Sequence, residues 1–136
     1  MAITFSRITL LLAGLLFGYF GLLFLFFPNS ELASVLPLKP STNAGLGEIR
    51  AIFGGMELAL AIFFLHAAIT AKYLNETLIL SIGIFAGFGF GRLLGLLLDD
   101  LTNDGYTQAA LAIETISLIL CVSAFVIYNR HHNIDS

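Results

Sequence analysis

Charge is what this sequence has least of. Only 11% of its 136 residues are Asp, Glu, Lys or Arg, against about 25% in a typical soluble domain. Hydrophobic residues make up 58%. Disorder is excluded, because disordered chains are polar and highly charged. A soluble globular domain does not fit either. Six basic residues face nine acidic ones, for a net charge of −3. No basic patch exists, so nucleic acid is not an expected partner. Cysteine occurs once, at Cys121, which excludes an intramolecular disulfide and a cysteine-based zinc site. There is no nucleotide-binding glycine loop, no serine nucleophile elbow and no HExxH motif. The sequence thus offers no catalytic residue, no metal site and no expected cofactor, and it leans away from an enzyme.

What is present are four long apolar runs, at about residues 8–27, 49–71, 77–98 and 107–128. A spanning helix needs about 20 mostly apolar residues. Hydrocarbon leaves every backbone amide to be paired within the chain, so each run should be a helix. The unbroken apolar character excludes barrel strands. The fold class is therefore an all-α membrane protein, an antiparallel four-helix transmembrane bundle forming a single domain over residues 1–136. The first run follows Arg7, as a signal peptide would, but exceeds the 7–15 apolar residues of a signal core and reads as a retained span. Pro28 ends it, since proline cannot continue a helix without losing a hydrogen bond.

Residues 28–48 form the longest connection. They contain all three prolines, Pro28, Pro37 and Pro40, and a short interfacial helix such as Glu31–Leu36 would fit there. Residues 72–76 form a tight turn, making the second and third spans antiparallel neighbours. Arg7, Lys72 and Arg130 lie on the side of the termini and Lys39 on the other. By the excess of basic residues in cytoplasmic loops, both termini are expected in the cytoplasm. The sequon Asn75-Glu-Thr77 would then face the cytoplasm and is a chance match.

Tryptophan is absent, so Phe24-Leu-Phe-Phe27 is the run placed to form an interfacial aromatic belt against lipid or neighbouring helices. Gly83, Gly87, Gly91 and Gly95 recur every four residues and line one side of the third span. Gly14 and Gly18 in the first span, and Gly54 and Gly55 in the second, add small surfaces. Close packing replaces the hydrophobic force between helices in lipid, so these glycines are read as helix-packing positions, chiefly within the chain and otherwise between two copies.

Charges inside spans are costly, at roughly 2.5–3.5 kcal/mol near the centre on insertion scales. This chain keeps Arg50 and Glu57 in its second span, Arg92 in the third and Glu114 in the fourth. At 1.5 Å per residue, Glu57, Arg92 and Glu114 lie about 12, 9 and 10 Å below the same membrane face. Three helices thus bring charges to one level. On a regular helix Arg50, Gly54 and Glu57 share a face, so Arg50 is expected to reach down to the others, with Glu48 at the rim. Glu48, Arg50, Glu57, Arg92 and Glu114 form the candidate polar cluster. It is open to three readings: a structural clamp, a small polar pocket for a headgroup, anion or partner group, or a proton path through Glu57 or Glu114. His66 reads as a packed core residue, His131 and His132 as a solvated pair, Cys121 as a small apolar residue, and Asp99-Asp100 as a solvated loop.

The runs Glu48-Ile-Arg50-Ala-Ile-Phe-Gly54-Gly55-Met-Glu57 and Gly89-Phe-Gly91-Arg92-Leu-Leu-Gly95, followed by a short acidic loop and Glu114, resemble a known family. This is the bacterial domain-of-unknown-function family 4345, matched from about Leu10 to Tyr128. The resemblance implies a small four-helix integral membrane protein, broadly like the DoxX group in arrangement, in a bacterial inner membrane and without an established activity. It places Arg50, Gly54, Gly55, Glu57, Arg92 and Glu114 in the family pattern without giving them a role. The Asp99-Asp100 pair departs from the single acidic residue expected there.

Small size and glycine-rich faces favour a non-enzymatic accessory or assembly subunit, whose partners are membrane lipids and either another membrane protein or a second copy. The alternative is a lipid or small-amphiphile carrier using the polar pocket. A small transporter ranks lower, because the first span lacks the acidic residue that four-helix exporters use.

Overall fold

The computed structural model describes residues 2–30, 40, 42–99 and 104–132. The proposed helix at Glu31–Leu36 and the residue Asp100 lie outside that set. All regular structure among the described residues is helical: α1 Ala2–Phe26, α2 Asn43–Ile49, a π segment Arg50–Met56, α3 Glu57–Thr70, α4 Leu74–Leu98 and α5 Gly105–His132. The π segment joins α2 and α3 into one continuous helix, so four helices are long and apolar enough to cross a membrane. The second of them starts earlier than hydropathy suggests. Thr42 caps it, its side chain accepting from the Gly45 amide at 3.1 Å, which satisfies an otherwise unpaired donor.

Between α3 and α4 the chain reverses in three residues. Ala71 and Tyr73 both adopt left-handed backbone, with φ 57°. This ends α3 in the usual way, the Ala71 amide donating to the Ala67 carbonyl at 2.9 Å.

The most buried helix is α1: 44% of its apolar window is inside the fold, against 28% for the second span and 17% for each of α4 and α5. It packs against the second span along its whole length. Gly14 lies beside Leu65, Gly18 beside Ala61, Gly21 beside Leu58, and Leu25 beside Gly54. Numbers rise on one helix as they fall on the other, so these two run in opposite directions. At Gly21 and Gly54 the backbones themselves approach. A Cβ on Gly21 would sit 2.7 Å from the Leu58 nitrogen, and one on Gly54 2.8 Å from both the nitrogen and the Cα of Leu25.

Both ends of this pair are tied by an arginine. Arg7 of α1 donates from Nε to the Ala68 carbonyl at 2.6 Å and from Nη2 to the Ile69 carbonyl at 3.1 Å, at the end of α3. Arg50 of the second span donates from Nη1 to the Leu25 carbonyl at the end of α1. The last carbonyls of a helix have no partner within it, and a cation there also answers the helix dipole.

The core narrows along the bundle. Near the termini it draws on all four spans, with Leu10, Ala67, Ala68, Leu78 and Ala124 in one cluster. In the middle, Ala13, Phe17, Ala61, Phe64, Phe85 and Cys121 again join all four. At the far end, among the described residues, only α1 and the second span contribute: Leu23 and Phe24, backed by Phe20, Ile49 and Phe53. Outward faces are apolar; Leu97 is 79% and Ile69 67% exposed, as a lipid-facing surface requires.

Three glycines of the third span's stripe pack against nothing among the described residues. A Cβ on Gly83, Gly87 or Gly91 would meet nothing within 4 Å. The reason is angular. The buried face of α4 carries Leu78, Ser81 and Phe85, and a residue two positions away lies about 200° round the helix. Gly55 likewise contacts only its own helix, at Arg50. Of the other expected packing glycines, Gly14 and Gly54 do lie at a close helix approach, joined by Gly21.

Gly54→Ala and Gly21→Ala should therefore each lower the detergent melting temperature sharply, since backbone cannot move aside as a flexible side chain can. Gly87→Ala should leave it unchanged or slightly raised, because alanine is the better helix former by about 1 kcal/mol. Equal losses at Gly54 and Gly87 would contradict this packing.

Candidate functional site

Where the core narrows, the space between the helices is a cavity of about 320 Å³. Its walls come from every span. The α1 face supplies Phe17, Phe20 and Phe24, the π segment Phe53, and α4 Phe85 and Phe88. The α1 residues sit at i, i+3 and i+7, one stripe of a helix. Phe17 is the hub. Its ring meets Phe64 edge-on at 5.6 Å, Phe85 at 5.8 Å and Phe88 at 6.3 Å between centroids. Phe24 and Phe53 close a second aromatic contact at 6.0 Å. Of the expected aromatic belt, Phe24 turns inward at 3% exposure, while Phe26 and Phe27 face outward at 61% and 65%.

The polar part of the lining is Glu57, Arg92, Glu114 and Tyr106. Arg92 Nε donates to Glu114 Oε1 at 2.6 Å. The Arg92 guanidinium also lies over the Tyr106 ring, 5.4 Å from its centroid, a cation–π contact. The pairing uses one carboxylate oxygen. Glu114 Oε2 is buried and has no hydrogen-bond partner, although Glu114 as a whole is only 6% exposed. Glu57 lines the same cavity and makes no ion pair among the described residues.

The shared depth of three charges thus corresponds to one shared space. Two members of the expected cluster lie outside it. Glu48 is exposed. Arg50 turns to the end of α1, as described above. Seven residues make nearly two turns of an α-helix, but Arg50–Met56 is π-helical. Its i→i+5 bonding places more residues in each turn, so Arg50 and Glu57 no longer share a face. Sequence reasoning missed the phenylalanine walls; the i, i+3, i+7 spacing of Phe17, Phe20 and Phe24 was the available signal.

Tyr106 is held by the cap of its own helix. Asp104 Oδ2 accepts from the Thr107 amide at 2.8 Å and from the Thr107 hydroxyl at 2.6 Å. Both bonds favour the ionised carboxylate and hold Asp104 below its ordinary value.

Compared with known families, residues 5–125 match the one described as Domain of unknown function (DUF4345). The chain belongs to the DUF4345 family. No curated protein and no solved structure matches it. This member is a small membrane protein with four helices long and apolar enough to span a bilayer, and its cavity is lined by Glu57, Arg92 and Glu114.

Arg92→Ala should cost more stability than Glu114→Gln. It strands a buried carboxylate, a change worth about 3–5 kcal/mol in soluble proteins, whereas glutamine still offers the arginine an acceptor. Arg92→Ala with Glu114→Gln should recover part of that loss, by about 0.5–3 kcal/mol of coupling. Arg92→Ala with Glu57→Gln should be additive. Melting temperatures of the singles and doubles check this, and additivity in the first double would mean that the pair is not energetically coupled.

Proposed function

We propose that the chain binds a small amphiphile in this cavity, its apolar body among the phenylalanine rings and its polar end at Glu57, Arg92 and Glu114. One observation carries the reading: a space of about 320 Å³, within the range of small-molecule sites, has aromatic walls and three charged side chains in its lining. A purely structural clamp would be filled around its ion pair, because empty space beside a buried charge forfeits dispersion contacts and solvation together. The accessory-subunit reading rests on a different feature, the outward glycine face at Gly83, Gly87 and Gly91, and would be favoured by a stoichiometric protein partner.

Native mass spectrometry from lipid discs separates the two. The unaltered chain should retain a small amphiphile. Ala110→Phe, which places a ring in the cavity that Ala110 lines, should abolish retention while preserving the melting temperature. Retention unaffected by a folded Ala110→Phe variant would rule this cavity out.

The orientation proposed with this function puts both termini in the cytoplasm and the cavity in the outer half of the membrane, on the distribution of Arg7, Lys72 and Arg130. Reporter fusions at Asn75 and Ser136 should report cytoplasm and one at Ser41 the opposite side. An outer signal at Asn75 inverts the assignment.

A further inference from the structure

Two carboxylates and one guanidinium line the cavity. Arg92 engages only Oε1 of Glu114. Glu114 Oε2 is left buried without a donor, and Glu57 has no ion-pair partner among the described residues. Two carboxylates therefore face a single guanidinium. A buried acceptor without a partner is costly, and more so for a charged group. The imbalance specifies what is missing: a donor carrying positive charge.

The walls point the same way. Phe17, Phe20, Phe24, Phe53, Phe85 and Phe88 surround the space. A phenylalanine face is the negative pole of the ring quadrupole, and cations held near such faces are attracted, most strongly where water is excluded. An anion would meet the same faces and two carboxylates with a single, already engaged arginine to offset them. A neutral amphiphile would fill the space but leave the charge of Glu57 unanswered.

From this we infer that the occupant is a hydrophobic organic cation, an amine or amidine with an apolar or aromatic body, bound with its charge at Glu57. The inference rests on the amphiphile-binding reading and narrows it to one chemical class. It assigns Glu57 the direct contact with the cation. Glu114 acts through Arg92: its Oε1 keeps the guanidinium turned aside.

The test uses three probes of equal size and shape: phenylbutylamine, phenylbutanol and phenylbutanoate. Each is titrated by calorimetry at neutral pH into the full chain in lipid discs, with protein-free discs as the blank. The amine should bind at least about tenfold more tightly than the alcohol, a difference of one decade in the dissociation constant. The acid should bind more weakly than either. Glu57→Gln should reduce the advantage of the amine over the alcohol to less than about threefold. The ranking on the unaltered chain stands even if that variant fails to fold. Amine and alcohol binding equally, or the acid binding best, would overturn the cation assignment and leave amphiphile binding intact. No binding by any probe would overturn both.

Discussion

Gly21 and Gly54 let the backbones of α1 and the second span touch, and that contact decides how much room remains for the other helices. In hydrocarbon no solvent is gained by bringing two apolar helices together, so attraction has to come from the number of atoms in contact. Two missing side chains let α1 lie against the second span along its length. The helices α4 and α5 then complete the core near the chain termini and in the middle, where Leu78, Ala124, Phe85 and Cys121 reach α1 and α3. They do not complete it at the far end. The cavity is the geometric remainder of a tight pair meeting a looser one.

That remainder explains where the charges sit. Arg92 and Glu114 are on facing positions of the looser pair, at the level where α1 no longer fills the gap between them. An ion pair there does the holding that side-chain packing does elsewhere. Such a pair is weak as a source of stability and strong as a source of register, since a shift of either helix by one residue would turn the partners away from each other. Glu57, from the tight pair, faces the same space without taking part in the contact.

Much of this was readable from the chain. Long uncharged runs can be little else than spanning helices, and counting residues from their ends brought Glu57, Arg92 and Glu114 to one depth before any packing was known. Two features were not readable. Face assignments assume 3.6 residues per turn, and the π turns over Arg50–Met56 leave no mark in composition; they moved Arg50 from the cavity to the end of α1. The glycine stripe misled for a different reason. Regular spacing shows that Gly83, Gly87 and Gly91 share a side of α4, not that anything lies opposite. The close approach falls on the shorter series Gly14, Gly18 and Gly21 facing Gly54; which series meets a partner is a property of two helices and cannot be seen in one.

The reciprocal arginines set a limit on how the molecule can move. Arg7 holds the end of α3 and Arg50 holds the end of α1, so the tight pair is latched at opposite ends in opposite senses. Sliding one helix along the other by a single turn, about 5.4 Å, would release both latches together. The register of the tight pair is thus fixed from both ends, and with it the height at which Glu57 meets the cavity.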